Sequence, residues 1–315
     1  MNILITGIQG FVGSNFTKAW SKKHTLYGLD INRSAKEGVK ELYAWEQLGE
    51  IPEVDAIVHL AGKAHDTKNK SLSQEYFDIN TGLTQKIFDY FLQSKAQTFI
   101  FFSSVKAAAD TVEGEMLTEE VAPRPIGPYG ESKIKAETYI LNMLNTNSTT
   151  QDKHIYILRP AMIHGPGNKG NLNLLYQVVK KGIPWFLGAF ENKRSFCSID
   201  NIIYATEQLI LRKDITNGIY HVCDDDAVST NELIRLIAAS EGKTARILNI
   251  PRGVVQMLAS MGSLLHLPLN RERLKKLTEN YIVSNEKIKR ALNISAFPTK
   301  AQEGLSKTFD SFKLK

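Results

Sequence analysis

Over its first 160 residues the chain alternates short apolar runs with longer stretches of helical period. Residues 1–6 (MNILIT), 24–30 (HTLYGLD), 55–61, 97–102 and 154–158 are brief runs rich in Ile, Leu, Val and Phe. Such runs suit strands buried on both faces. Between them, residues 14–20, 75–94 and 129–144 read as helices. Strand–helix alternation of this kind predicts an α/β fold built on a doubly wound parallel sheet. After Pro160 the pattern loosens. Residues 165–170 read as a loop and 218–222 as a strand. Ser229 and Glu232 predict a capping box for a helix over 232–240. The expected organisation is a first domain over 1–165, with segments near 195–220 returning to it. A smaller, discontinuous lobe over 166–315 would face the carboxyl ends of the strands. No internal repeat or low-complexity stretch interrupts the chain.

Glycine spacing gives the first strand a chemical meaning. It runs into Gly7-Ile-Gln-Gly10-Phe-Val-Gly13 and then into a helix. A strand, a glycine turn and a helix N-terminus form an anion site, where backbone N–H groups and the helix dipole both favour a pyrophosphate. Phe11 and Val12 lie inside this turn and belong to the expected cofactor site. The second strand ends in Asp30, 23 residues after Gly7. An acid in that position meets the adenosine ribose in a Rossmann fold. The expected cofactor is therefore NAD. Arg33, three residues on, leaves NADP open.

A second constellation lies further along. Tyr129 and Lys133 form a YxxxK pair, and Ser104 precedes the tyrosine by 25 residues. Ser104 directly follows an apolar strand, so its hydroxyl is expected at the sheet's carboxyl edge. Tyr129 opens a helix, with Lys133 one turn later on the same face. A phenol beside an ammonium is a proton carrier, because the positive charge favours phenolate. Ser104 would polarise the reacting oxygen.

Composition narrows the class without changing it. The chain has 315 residues, 43% apolar and 23% charged, as in soluble globular proteins. With a strand read from residue 2, no signal peptide is expected. Two cysteines, Cys197 and Cys223, point to the reducing cytoplasm and show no metal spacing. The net charge of +6 lacks a basic run interleaved with aromatics, so no nucleic-acid partner is expected. Residues 253–268 are the most apolar segment, but they include Gln256, Ser260, Ser263 and His266. They are short for a membrane span, so a buried or lid helix is expected rather than membrane insertion.

Together these residues resemble the extended short-chain dehydrogenase/reductases of the NAD-dependent epimerase/dehydratase type. The resemblance spans nearly the whole chain. It rests on the glycine turn, Asp30, His59-Leu60-Ala61-Gly62, Asn80, Phe102-Ser103-Ser104, Tyr129 with Lys133, Arg159-Pro160 and His164-Gly-Pro-Gly167. It implies cofactor contacts from Leu60, Ala61, Gly62 and Asn80, and from Tyr129 and Lys133. It implies a UDP-sugar substrate, with Asn171 and Arg194 at the diphosphate and Trp185 and Phe186 shaping the uracil pocket. A second base at the diphosphate would be one of Arg273, Lys275 and Lys276. It also implies a homodimer joined by a four-helix bundle.

One departure from the family is informative. Sugar 4,6-dehydratases follow the catalytic hydroxyl residue with Asp-Glu, whereas here Val105 and Lys106 follow Ser104. Dehydration is therefore not expected. The Ser-Ser-Val-Lys sequence, the loop around Asn171 and the 188–201 run most resemble reductases of 4-keto-6-deoxy UDP-N-acetylhexosamines. These serve deoxy-amino-sugar and surface-polysaccharide synthesis. UDP-sugar 4-epimerases share the same triad and are the alternative. A catalytically silent dinucleotide-binding protein is a more remote one.

Overall fold

The computed structural model describes residues 1–64, 72–264 and 270–313. Its strands are β1 (Asn2–Thr6), β2 (Thr25–Leu29), β3 (Glu41–Tyr43), β4 (Ala56–His59), β5 (Thr98–Phe102), β6 (His154–Pro160), β7 (Met162–His164), β8 (Phe196–Ser198) and β9 (Gly218–Val222). The larger helices of the first half are α1 (Phe11–Trp20), α2 (Ser73–Tyr76), α3 (Leu83–Gln93) and α4 (Pro128–Thr146). Those of the second half are α5 (Asn171–Lys180), α6 (Ile199–Leu211), α7 (Thr230–Ser240), α8 (Arg252–Leu264), α9 (Arg271–Thr278), α10 (Glu286–Leu292) and α11 (Ala301–Lys313). One seven-stranded parallel sheet has the order β3-β2-β1-β4-β5-β6-β9, and β7 pairs separately with β8.

Strand alternation explains the continuous apolar runs. In β1, Ile3 and Ile5 join one core with Phe16, Trp20, Tyr156, Ile202 and Ile288, while Leu4 joins the opposite core. That second core contains Phe88 and Phe91 of α3 and Ile140 of α4. Successive side chains enter opposite layers, so both must be apolar. The strand order reverses between β1 and β4, which opens a crevice at their carboxyl ends. Open α/β sheets bind ligands at such a point.

The second half divides its helices. α6 and α10 pack on the main sheet through Ile202, Leu209, Ile288 and Leu292, and β9 completes that sheet. α5, α7 and α11 enclose a separate core of Leu172, Tyr176, Leu233, Ile237, Leu305 and Phe309. Ser229 caps α7 by accepting the Glu232 N–H at 3.0 Å, and the helix begins at Thr230. β3, β7 and β8 have three residues each, too few to show a period in sequence. The apolar segment near 253 forms α8. Only part of it is buried, since Val255 and Ala259 face inward while Met257 and Met261 are exposed. Residues 265–268 of that segment lie outside the described residues. Among the described residues no helix is long and apolar enough to cross a membrane.

Candidate active site

Gly7 leaves β1 with φ +67°, a left-handed conformation that glycine adopts without strain. A Cβ here would stand 2.8 Å from the Ala61 backbone, so the glycine lets the ends of β1 and β4 meet. At Gly13 a Cβ would stand 2.6 Å from Ile8 Cα and 2.7 Å from the Gly7 oxygen, so α1 lies flush on the turn. The N-terminus of α1 has no side-chain cap and no acid in its first turn. An uncapped, acid-free helix start behind a glycine turn fits a dinucleotide pyrophosphate. Phe11 packs at Gly165 and Gly167, and Val12 packs on the main core. Asn15 donates to the Pro166 carbonyl at 3.0 Å and ties the same loop to α1.

Asp30 stands at the end of β2, beside this turn. Its carboxylate accepts the Gln9 N–H at 2.9 Å and the Asn32 N–H at 3.0 Å. The carboxylate is thus fixed, as a ribose acceptor should be. Lys36 was not anticipated from the sequence. Its ammonium donates to Ser14 Oγ at 2.8 Å and approaches Gln9 Oε1 at 3.3 Å. Burial lowers its pKa, and Asp30 opposes that shift.

At the other end of the crevice, β4 delivers Leu60, Ala61 and Gly62. The Ala61 N–H donates to Thr6 Oγ1 at 3.1 Å, and Thr6 is hydrogen-bonded to buried His59 at 2.6 Å. Burial first, and Lys133 second, hold His59 well below its usual pKa, so it is a neutral scaffold residue. Asn80 is fully buried in a π-helical turn, Phe77–Gly82. Its Oδ1 accepts the Lys63 N–H at 2.8 Å, and its amide donates to Ser132 Oγ at 2.9 Å. These bonds place Asn80 behind the Gly62 turn and lock that turn to α4. Ser132, absent from the sequence reading, is the link. Its only signal was its position between Tyr129 and Lys133.

Ser104 and Tyr129 come together. Their side chains approach each other, and Ser104 lowers the Tyr129 pKa while burial, the larger influence, raises it. Ser104 also accepts the Lys106 N–H at 3.2 Å, which caps a short 3-10 turn and fixes the hydroxyl at the end of β5. Pro128 starts α4, with Gly127 before it at φ +85°, so Tyr129 sits in the first helical turn. Lys133 lies one turn on. Its ammonium donates to the Phe102 carbonyl at 2.8 Å and would stand 3.1 Å from a Cβ at Gly62. Sequence reasoning expected Lys133 to depress the Tyr129 pKa. Here the lowering comes from Ser104, because Lys133 is turned to the Phe102 carbonyl and the Gly62 lip.

Burial pushes Lys133 down to about 8, and Glu137 acts the other way. This has a testable sign. Between about pH 8 and the ordinary lysine value of 10.5, the unfolded chain keeps a proton that the folded chain has lost. Stability from this residue therefore rises with pH across that window. Unfolding of the cofactor-free protein and of Lys133→Met at pH 7.5, 8.5 and 9.5 (roughly spanning the window) should show the wild type gaining on the variant. A constant difference between the two would refute it.

The expected substrate residues lie on the second lobe. Asn171 is exposed at the first position of α5. Trp185 is partly buried and exchanges backbone bonds with Arg246 and Leu248, whereas Phe186 is 47% exposed. Arg194 donates to the Lys276 carbonyl at 3.0 Å and lies 3.7 Å from Glu279. This brings Arg194 to α9, which carries Arg273, Lys275 and Lys276. Val105 is buried, and Lys106 is bound to Asp110 at 3.0 Å and stacked over Tyr281. No carboxylate pair follows Ser104.

Comparison with known proteins agrees with this geometry. The profile of the NAD dependent epimerase/dehydratase family matches residues 3–223. The chain is 30% identical over 267 residues to a UDP-glucose 4-epimerase of Vibrio cholerae, covering 79% of each. It is 25% identical over 248 residues to a GDP-6-deoxy-D-mannose reductase of Pseudomonas aeruginosa, covering 75% of this chain and 79% of the relative. Among solved structures, MoeE5 in complex with UDP-glucuronic acid and NAD superimposes with a TM-score of 0.78 at 19% identity, covering 100% of this chain and 99% of that one. The glycine turn, the Ser104–Tyr129–Lys133 set and this match over most of the chain lead to one conclusion: the protein is an enzyme of the NAD dependent epimerase/dehydratase family, an extended short-chain dehydrogenase/reductase whose cofactor is NAD.

Proposed function

We propose that the protein catalyses hydride exchange at C4 of a UDP-sugar in the cytoplasm, as a 4-epimerase. The observation that carries the reading is the approach of Ser104 to Tyr129, with Lys133 one turn further along α4 and bonded to the Phe102 carbonyl. Bound NAD supplies the hydride acceptor and, on return, the donor. Tyr129 takes the O4 proton as the sugar is oxidised and gives it back as the sugar is reduced. Ser104 donates to O4 and stabilises its developing charge. Lys133, at the Gly62 lip, orients the nicotinamide ribose. Arg194, Asn171 and a base of α9 hold the diphosphate, and Trp185 with Phe186 flanks the base. The planar guanidinium of Arg194 suits a phosphate, which would take the place of Glu279 beside it. A homodimer through α3 and α4 belongs to the same reading. The Tyr139 hydroxyl donates to Asp89 and fixes these two helices as a unit.

The Vibrio cholerae relative supports epimerisation. A second reading, a single reduction of a 4-keto UDP-sugar, is favoured by the Ser-Ser-Val-Lys sequence and by the Pseudomonas aeruginosa reductase. Buried Val105 and the Lys106–Asp110 pair weigh against dehydration in either case. Stoichiometry decides between the two readings. Purified protein with catalytic NAD should interconvert UDP-glucose or UDP-N-acetylglucosamine with its C4 epimer at constant nicotinamide absorbance. Consumption of one NADH per 4-keto-6-deoxy UDP-sugar, without epimer interconversion, would replace epimerisation by reduction. Turnover of neither substrate class would sink both.

A further inference from the structure

Helix α8 carries an apolar stripe on its outer side. Val254, Met257, Leu258 and Met261 follow the i, i+3, i+4, i+7 spacing of one helix face and are 43%, 58%, 47% and 51% exposed. The inner side is already used, because Val255 and Ala259 pack on Leu187 and Leu274. A helix on a protein surface normally turns charge outward. This one is apolar on both sides.

The sequence that carries the stripe has charge of one sign, and Glu272 just beyond it is paired with Lys276. Residues 242–271 contain no Asp or Glu, yet they include Lys243, Arg246, Arg252 and Arg271. Arg252, at the start of α8, donates to the Ala189 carbonyl at 2.9 Å. Arg271 donates to Ser260 Oγ at 2.8 Å. The two guanidiniums are thereby held near opposite ends of the stripe, close to Val254 and Met261.

We propose that α8 seats the enzyme on an anionic lipid surface, lying in the plane of the interface. Methionine and leucine side chains would enter the acyl boundary while Arg252 and Arg271 meet headgroup phosphates, the pattern of an interfacial amphipathic helix. At 13 residues the helix is about 20 Å long, too short to span a bilayer. Charge chooses this occupant over a second copy of the chain, because two such faces would bring like-charged guanidiniums together. The segment beneath α8 includes Leu187 and Trp185, so docking would bring the substrate lobe to the membrane surface. The inference does not depend on which C4 reaction is catalysed.

Flotation of the full chain with vesicles tests it. Phosphatidylcholine vesicles containing phosphatidylglycerol should carry the protein upward, and pure phosphatidylcholine vesicles should carry several-fold less. Added salt should release part of the bound protein. Met257→Glu with Met261→Glu should lower the bound fraction about tenfold. Both positions are exposed, so the thermal midpoint and NAD binding should stay at wild-type values. No flotation with phosphatidylglycerol vesicles would overturn the proposal. So would undiminished flotation of the double variant, or a lipid-free dimer in sedimentation velocity that the same substitutions abolish.

Discussion

Tyr129→Phe should lower turnover by about 10²–10⁴-fold while NAD affinity stays near the wild-type value. The substitution removes one hydroxyl from a ring that is held from several sides. Pro128 and Gly127 set the start of α4, and Tyr76 packs edge-on at 6.5 Å between ring centroids. The backbone therefore has no reason to move. Ser104 keeps its place, because the Lys106 N–H still fixes its oxygen. Only the proposed proton carrier is lost. Steady-state turnover with either substrate class, set beside NAD binding by fluorescence or calorimetry, checks this. A loss under about tenfold would remove Tyr129 from the chemistry. An equal loss of NAD binding would make it a structural residue.

Glu137→Ala should cost about 3–5 kcal/mol of folding stability, a large share of what a domain possesses. Glu137 is fully buried on α4, and Arg159 at the end of β6 is 1% exposed. The guanidinium reaches both carboxylate oxygens, with bonds of 2.6 to 3.1 Å, and the Ser103 hydroxyl donates to the same group. Truncating the acid leaves a buried cation with no counter-charge. The neighbour in the next strand supplies no counter-charge, because His221 is either neutral or positive, and burial and Arg159 hold it neutral, down at about 3. Denaturant unfolding of Glu137→Ala, Arg159→Leu and the Glu137→Leu/Arg159→Leu pair measures the coupling. The pair should cost clearly less than the sum of the singles. Additive costs would mean that the ion pair is not a unit. Glu137 also raises the Lys133 pKa, so Glu137→Gln should deepen the lysine's depression without removing the side chain.

Relatives shifted the functional reading more than geometry did. Sequence resemblance leaned toward 4-keto reduction, whereas the 30% identical relative is a 4-epimerase. In the proposed mechanism both reactions use the same three side chains, so the Ser104–Tyr129 pairing serves either. They differ in whether the keto sugar leaves or turns over, a property of the whole substrate pocket rather than of the triad.

Local signals were enough wherever chemistry depends on backbone permission or on fixed spacing. Gly7 and Gly13 were legible because only a missing Cβ allows their approach to Ala61 and Ile8. Tyr129 and Lys133 were legible because a helix brings i and i+4 to one face. The five long strands of the first half were legible because burial on both sides demands unbroken apolar runs. Tertiary structure alone decided the remainder. It buried Asn80 and gave its amide to Ser132, 52 residues away. It joined Glu137 to Arg159 across 22 residues and set Lys36 beside the glycine turn. It turned Lys133 toward a carbonyl of β5, so that Ser104 supplies the only lowering of the Tyr129 pKa. It also left α8 apolar on its outer face, where the sequence had suggested a covered helix. Each of these depends on what a polar or apolar side chain meets after long-range packing, and no short window of sequence contains its partner.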